Sequence, residues 1–370
     1  MTYHSGSRAI QDRVGVRDLA DHMGRAVGRG IRPVAAAFLE LQPMLVVGAV
    51  APESGAGAGG GASGRGAESG AEPGRGAGAG GRAPENGAEP GSHAETGAEL
   101  GRGVESGVES GKGVETGAEP GRGVGSEGGA APGGGDVWVS LLTGRPGFLR
   151  ATGPHQLSVV GGLPAGDPLT AALATPGTLV GTIALDPRTR RRMRLGGRVR
   201  PTPRGFAVEA DRVFANCPKY LQKRETYETV ADRAAGVPRR GRELTASQRQ
   251  FVEAADTFFL ATVHANGADA SHRGGNPGFV HVDTPGELSW RDYPGNSMFL
   301  SLGNLAADPR AGLLFLDWTS GAVLQLTGTA RTEFAPDGER TVRFILTEAV
   351  ETPGASPLRW SAPAYSPANP

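Results

Sequence analysis

The chain has 370 residues, enough for two domains, and its 38 basic side chains are matched by 38 acidic ones. That balance gives no global electrostatic case for nucleic acid or an anionic membrane surface. The single cysteine, Cys217, excludes an intrachain disulfide, and no apolar run reaches membrane-spanning length, the longest being Met44 to Pro52. With MTYHSGSRAIQDR at the start and no apolar leader core in it, the expectation is a cytoplasmic protein in a reducing compartment.

Residues 1–42 form a helical segment by pattern. Ser7 is a candidate N-cap before Arg8 to Val14, and Arg17 to Val27 carries Leu19, Met23 and Val27 at helical spacing. Pro33 opens a third helix through AAAFLELQ, and Met44 to Val50 is an apolar run bounded by turn residues, hence a buried strand. Between Ala51 and Gly135 the composition changes to a glycine-rich tract with a ten-residue rhythm (GAEPGSHAET, GAELGRGVES, GVESGKGVET, GAEPGRGVGS). Glycine does not recur at every third place, which excludes collagen, and large apolar side chains are almost absent, so disorder is expected. Stretching a hairpin loop from about five residues to about 85 costs only roughly 2.5 kcal/mol, so a folded domain tolerates it.

From Asp136 the strand candidates are Val137–Leu142, Gly147–Ala151, Leu157–Val160, Leu179–Leu185, Arg192–Val199 and Phe206–Val213, with a helix over Asp167–Leu173. Many short strands with Gly and Pro turns indicate a small barrel or sandwich rather than a parallel α/β sheet. The run Arg188 to Arg194 (RTRRRMR) is taken as a solvated hairpin, because overall charge is balanced. Asn216 to Glu225 (NCPKYLQKRE) is taken as a turn into a basic helix that ends the first domain. Cys217 has no second cysteine or nearby histidine for a metal site. Residues 226–245 are assigned as a linker, 246–370 as the second domain, and Arg340–Val350 as a late strand.

The two domains are diverged copies. Pro146-Gly147-Phe148 and Pro277-Gly278-Phe279 lie 131 positions apart, and the same spacing pairs Leu157 with Leu288, Gly181 with Gly312, Asp186 with Asp317, Leu195 with Leu326 and Gly197 with Gly328. Phe38-Leu39-Glu40 before Val46–Val50 likewise matches Phe251-Val252-Glu253 before Phe259–Val263, so the tract is an insertion between the first two strands of the first copy. Frame positions agree; polar positions do not. Where the second copy has His272, Arg273, Asn276, Trp290, Arg291, Asp292, Asn296 and Ser297, the first has Leu141, Leu142, Arg145, Val159, Val160, Gly161, Ala165 and Gly166. That contrast places the candidate site in the second copy.

Ser271-His272-Arg273-Gly274-Gly275 combines hydroxyl, guanidinium and glycine amides, a set suited to a phosphate. Gly295-Asn296-Ser297 precedes a helix over Met298–Ala306 whose N-terminal amides also favour an anion, with Arg291 nearby. Trp290 can stack on a planar ring or pack in a core. No nucleophile triad, carboxylate pair or metal cluster stands out, which assigns hard chemistry to a bound cofactor.

Through TFFLATV, SHRGGNPGFV, DYPGNSMF with LGNLAADPRAGLLFLD, and LQLTGTA, the second domain resembles the FMN-binding split barrels of the pyridoxamine 5′-phosphate oxidase-related proteins. YHSGSRAIQ, NCPKYLQKRE and ETPGASPLRW resemble a longer, tandem branch of that group. The resemblance implies a mainly β fold with short helices, in which 43–225 is a degenerate first split barrel carrying the insert at 51–135 and 246–370 is the flavin-binding one. It implies FMN at the seam of an internal pseudo-dimer or of a homodimer, with Ser271, His272 and Arg273 on one wall. Asn296 and Ser297 would lie near the phosphate, and Lys219 and Tyr220 would come from the first barrel. Family oxidases place basic side chains where this chain has Asn296-Ser297-Met298. The resulting readings are an FMN-dependent oxidoreductase acting on a small molecule, a non-catalytic flavin-binding or stress-related protein, or a barrel using F420 or haem. Haem would require His272 or His281 as axial ligand.

Overall fold

A computed structural model describes residues 3–52, 134–265 and 267–370, so the glycine-rich tract lies outside the described residues apart from its edges. Three helices lead, α1 (Ser5–Val14), α2 (Arg17–Gly24) and α3 (Pro33–Glu40). The N-cap of α1 is His4, not Ser7; Ser7 is buried inside the first turn and bonds to the His4 ring. The first series of strands is β1 (Met44–Val50), β2 (Val137–Thr143), β3 (Leu149–Gly153), β4 (Gln156–Val160), β5 (Leu179–Asp186), β6 (Arg191–Thr202) and β7 (Gly205–Ala215), with α4 (Thr170–Ala174) before β5. After β8 (Tyr227–Thr229), β9 (Arg239–Gly241) and α5 (Ala246–Ala254), the second series is β10 (Thr257–His264), β11 (Gly267–Gly274), β12 (Val280–Thr284), β13 (Glu287–Arg291), β14 (Arg310–Leu316), β15 (Val323–Phe334) and β16 (Arg340–Thr352). Helix α6 (Leu300–Ala307) precedes β14, and β17 (Leu358–Trp360) closes the series. Helix α5 starts at a capping box in which Thr245 and Gln248 satisfy each other's free N–H groups.

The strands form two antiparallel sheets with one order, β2-β1-β5-β6-β7-β4-β3 and β11-β10-β14-β15-β16-β13-β12. The spacing of 131 found in the sequence holds to the residue for β3 against β12 and β4 against β13. Even the irregularities correspond, since the β6–β7 ladder slips at Gly196/Gly197 and the β15–β16 ladder at Thr327/Gly328. A Cβ on Gly197 would lie 2.1 Å from the Glu209 carbonyl oxygen, and one on Gly328 2.0 Å from that of Ile345. Only glycine lets the bulged backbones approach so closely. The spacing ends at the last hairpin, where residues 335–339 replace the two-residue turn at 203–204.

The central strands are apolar on both faces because each face meets a different core. Along β1, Leu45, Val47 and Ala49 face the core of the first sheet, while Met44 and Val46 face a core shared by the two sheets. Along β10 the same alternation sends Phe258 and Leu260 into the second sheet's own core and Phe259, Ala261 and Val263 into the shared one. The halves approach closely at glycines: a Cβ on Gly48 would sit 2.4 Å from the Ala261 methyl, and one on Gly312 3.0 Å from Trp138 backbone.

Two expectations are corrected. Residues 216–225 contain no helix; the segment turns at Tyr220, whose φ is 63°, and runs on extended, because Gln222 is buried and binds backbone of both halves. The stretch 226–245 is not a free linker, since β8 pairs with β17 and β9 with β16.

Candidate functional site

Nine of the ten residues singled out from sequence line one cleft between the sheets. Ser271, His272, Arg273 and Gly274 come from β11, Trp290 and Arg291 from β13, Asn296 and Ser297 from the loop before α6, and Lys219 from the segment after β7. Gly275 lies outside the lining; its N–H bonds to the Asp256 carbonyl and its own carbonyl accepts from Gln222. The cleft encloses about 100 Å³. Pockets for nucleotide-sized ligands start at about 300 Å³, so such a ligand extends beyond the closed part.

Alternation along β11 divides the work. His272 faces the first half, where Arg192 of β6 donates to its Nδ1 at 2.7 Å. That bond fixes the neutral tautomer with the proton on Nε2, and burial, reinforced by Arg192 and Arg273, holds the ring's pKa well below the usual histidine value. Arg273 points to Asp292, 3.3 Å away, and Asp292 also binds Arg340 at 3.1 Å. The carboxylate thus aims Arg273 while Arg340 shares its charge. Deeper in, Asp269 forms a buried ion pair with Arg194 and accepts from Ser301 at 3.1 Å. Burial alone would raise its pKa, but Arg194 and Arg212 outweigh it and the carboxyl stays below its ordinary value.

Several predicted roles change. The Ser271 hydroxyl is spent within the fold, donating to the Leu260 carbonyl with the Ser301 hydroxyl oxygen 3.1 Å away. Gly274 serves close packing, since a Cβ there would lie 2.1 Å from the Tyr220 carbonyl oxygen. Trp290 is 1 % exposed and edge-on to Phe258 with ring centroids 5.0 Å apart, so it belongs to the core rather than to a stacking face. Arg291 is turned away to Glu339. Asn296 accepts from the Met298 N–H, shaping the loop, and Lys219 is exposed at the cleft.

The arginine run is not a solvated hairpin. Arg190 donates to the carbonyls of Leu221, Ala364 and Tyr365, and Arg192 and Arg194 turn into the cleft. Burial, with Arg194 nearby, lowers the Arg192 pKa to about 10, which still leaves it charged at neutral pH. Strand alternation from Arg192 to Arg194 was the available signal, and it was masked by the neighbouring Arg188, Arg190 and Arg191. Tyr220, expected from the first barrel, meets Tyr293, which was missed; their ring centroids lie 5.1 Å apart and offer the aromatic face that Trp290 does not. Four non-glycine residues have positive φ among the described residues: Tyr220, Ser297 and Phe299 line the cleft, and Arg190 lies beside it. Strained backbone gathered around one cavity is a mark of functional sites.

The matching positions around Leu141 and Leu142, drawn from both halves, hold no such set. Leu141 and Leu142 stand for His272 and Arg273, and Gln325 stands for Arg194. There Asp167 accepts from Ser140 at 2.6 Å and from Gln325 at 3.1 Å, a closed network of its own.

Residues 244–366 match the family model described as pyridoxamine 5′-phosphate oxidase. No curated protein matches the chain. Among solved structures, a candidate pyridoxamine 5′-phosphate oxidase from Lactobacillus delbrueckii aligns at 18 % identity, over 30 % of this chain and 94 % of that one, with TM-score 0.25. An FAD binding protein from Mycobacterium smegmatis aligns at 12 % identity, over 31 % and 98 %, with TM-score 0.23. A HupZ protein from Group A Streptococcus aligns at 10 % identity, over 29 % and 98 %, with TM-score 0.25. By that match the second half of the chain, residues 244–366, is similar to the pyridoxamine 5′-phosphate oxidase family.

Proposed function

We propose that the chain consists of two tandem split barrels arranged as an internal pseudo-dimer, binds a flavin nucleotide in the cleft between them, and works as a flavin-dependent oxidoreductase on a small molecule. The observation that carries this reading is a set of side-chain nitrogens in the cleft that are buried without a partner: Nε of Arg192, Nε2 of His272, Nε of Arg273 and Nε1 of Trp290. Each unsatisfied donor costs about 1–3 kcal/mol, so the cleft favours a ligand rich in acceptors. A flavin has that character, with carbonyl oxygens and ring nitrogens along one edge and a phosphate at its tail. The family match to pyridoxamine 5′-phosphate oxidase supports the same ligand class.

Hydride exchange is the chemistry that a flavin supplies when bound. The chain's own residues bind and orient. Arg273, steadied by Asp292, and neutral His272 donate to acceptors inside the cleft. Tyr220 and Tyr293 present a face to a planar ring. Arg192 and Lys219 supply positive charge from the first half, replacing basic side chains absent at Asn296-Ser297-Met298. Haem is disfavoured on the same geometry: His272 keeps its proton on Nε2 and its Nδ1 lone pair on Arg192, while His281 is an exposed residue of β12 outside the lining.

The test is the absorbance spectrum of the purified protein, followed by titration of flavin into wild-type and Arg273→Ala protein. Flavin bands or quenching of added FMN fluorescence are expected. Arg273→Ala weakens binding about tenfold, equivalent to about 1.4 kcal/mol, while the thermal midpoint of the ligand-free protein barely moves. A colourless protein that leaves FMN fluorescence untouched ends the flavin reading; bound flavin without turnover on any donor leaves a binding protein.

A further inference from the structure

A second cavity lies beside the cleft across β6. Arg192 and Asn216 line the cleft on one side and, on the other, line this cavity of about 190 Å³, bounded by Phe38, Arg190 and Arg191. No acidic side chain lines this second cavity. In the cleft itself the acidic lining is Asp292, already shared by Arg273 and Arg340. Among the described residues Arg191, Arg192 and Lys219 form no ion pair with a carboxylate. The two cavities together therefore hold more positive charge than one phosphate monoester needs.

The junction has its own chemistry. Arg192 Nε is a buried donor and Asn216 Oδ1 a buried acceptor, and neither has a partner. A phosphate oxygen satisfies the first and a sugar hydroxyl the second. Beyond them the guanidinium of Arg191 lies 5.4 Å from the Phe38 ring centroid and is exposed on its other side. A planar cation backed by a ring is a surface on which a second aromatic ring stacks.

Resting on the flavin reading above, we propose that the ligand is a flavin dinucleotide. Its ring system occupies the cleft, its pyrophosphate crosses Arg192, and its adenosine half lies in the second cavity, with a ribose hydroxyl on Asn216 Oδ1 and the base on Arg191.

Isothermal titration of the ligand-free full chain with riboflavin, FMN, FAD and ADP-ribose tests this, using wild-type, Arg191→Glu and Arg191→Gln proteins whose thermal midpoints are measured alongside. FAD is expected to bind about tenfold or more tighter than FMN, with ADP-ribose competing for part of the same site. Both variants weaken FAD about tenfold and leave FMN within about twofold. FMN binding as tightly as FAD, or a loss common to both ligands in the variants, overturns the dinucleotide and leaves the flavin reading standing. Failure of riboflavin, FMN and FAD alike overturns both.

Discussion

Asp269 sits in an unusual position for a carboxylate: nearly inaccessible, between the two sheets, and compensated by Arg194 with Arg212 close by. Such a pair is weak support for stability as it stands, but removing one charge strands the other in a poor dielectric. Asp269→Asn is therefore expected to lower unfolding free energy by about 3 kcal/mol or more, measured by chemical denaturation. His272 gives a second residue-level expectation. Its folded-state pKa is depressed, so as pH falls through about 6.5 the unfolded chain takes up a proton that the folded chain refuses. Stability then drops with falling pH by up to about 1.4 kcal/mol per pH unit, and His272→Gln should remove that part of the slope between pH 7 and 5. His264, lowered to about 4 by burial and then by His4, adds to the decline in the same direction. A wild-type thermal midpoint that stays flat over this range contradicts a neutral ring at both positions. At this scale the sequence was informative about place and poor about role. Trp290, Arg291 and Gly275 were selected by residue type, yet their contacts are set by Phe258, Glu339 and Asp256, all distant from them in sequence or hidden by the fold.

Among the elements, α1 and α6 show how the N-terminal segment reaches the cleft wall. They cross at two glycines, where a Cβ on Gly6 would lie 2.2 Å from the Gly303 carbonyl oxygen and one on Gly303 2.4 Å from Ser7 Oγ. His4 bonds to Asn304 at 2.9 Å and stacks on His264, and Gln11 donates to the Met298 carbonyl just ahead of α6. Gly6→Ala should cost about 1–3 kcal/mol by forcing the helices apart, whereas Gly153→Ala, with open space around its Cβ, should cost little. Equal midpoints for the two variants would sink this account of the crossing. Strand positions were largely legible because buried strands carry apolar runs between turn residues, as Met44–Val50 does. The segment 216–225 was not. Its Lys and Arg residues suggest a helix, but Gln222 and Arg224 are held by backbone and carboxylate partners from the second half, which local pattern does not reveal.

For the whole molecule, the shared core between the sheets means that neither half keeps its Met44, Val46, Phe259 and Val263 dry alone. Full-length protein should unfold in one transition, with calorimetric and van't Hoff enthalpies in agreement; two separated transitions would show that the seam contributes little. The glycine-rich tract enters and leaves where β1 and β2 are already paired, Val50 opposite Val137 and the Ala51 N–H on the Asp136 carbonyl. Replacing residues 53–133 by a short turn should accordingly preserve the midpoint and ligand binding.

The equal strand order of the two sheets has a consequence for how such a cleft can change. In a dimer of identical chains every replacement is made twice, so a group that improves one cleft is imposed on its mate. Here Arg194 and Gln325 occupy matching register positions, opposite Ile183 and Leu314, with different side chains. Joining the halves in one chain releases each from copying the other, and a mutation on either side is inherited singly.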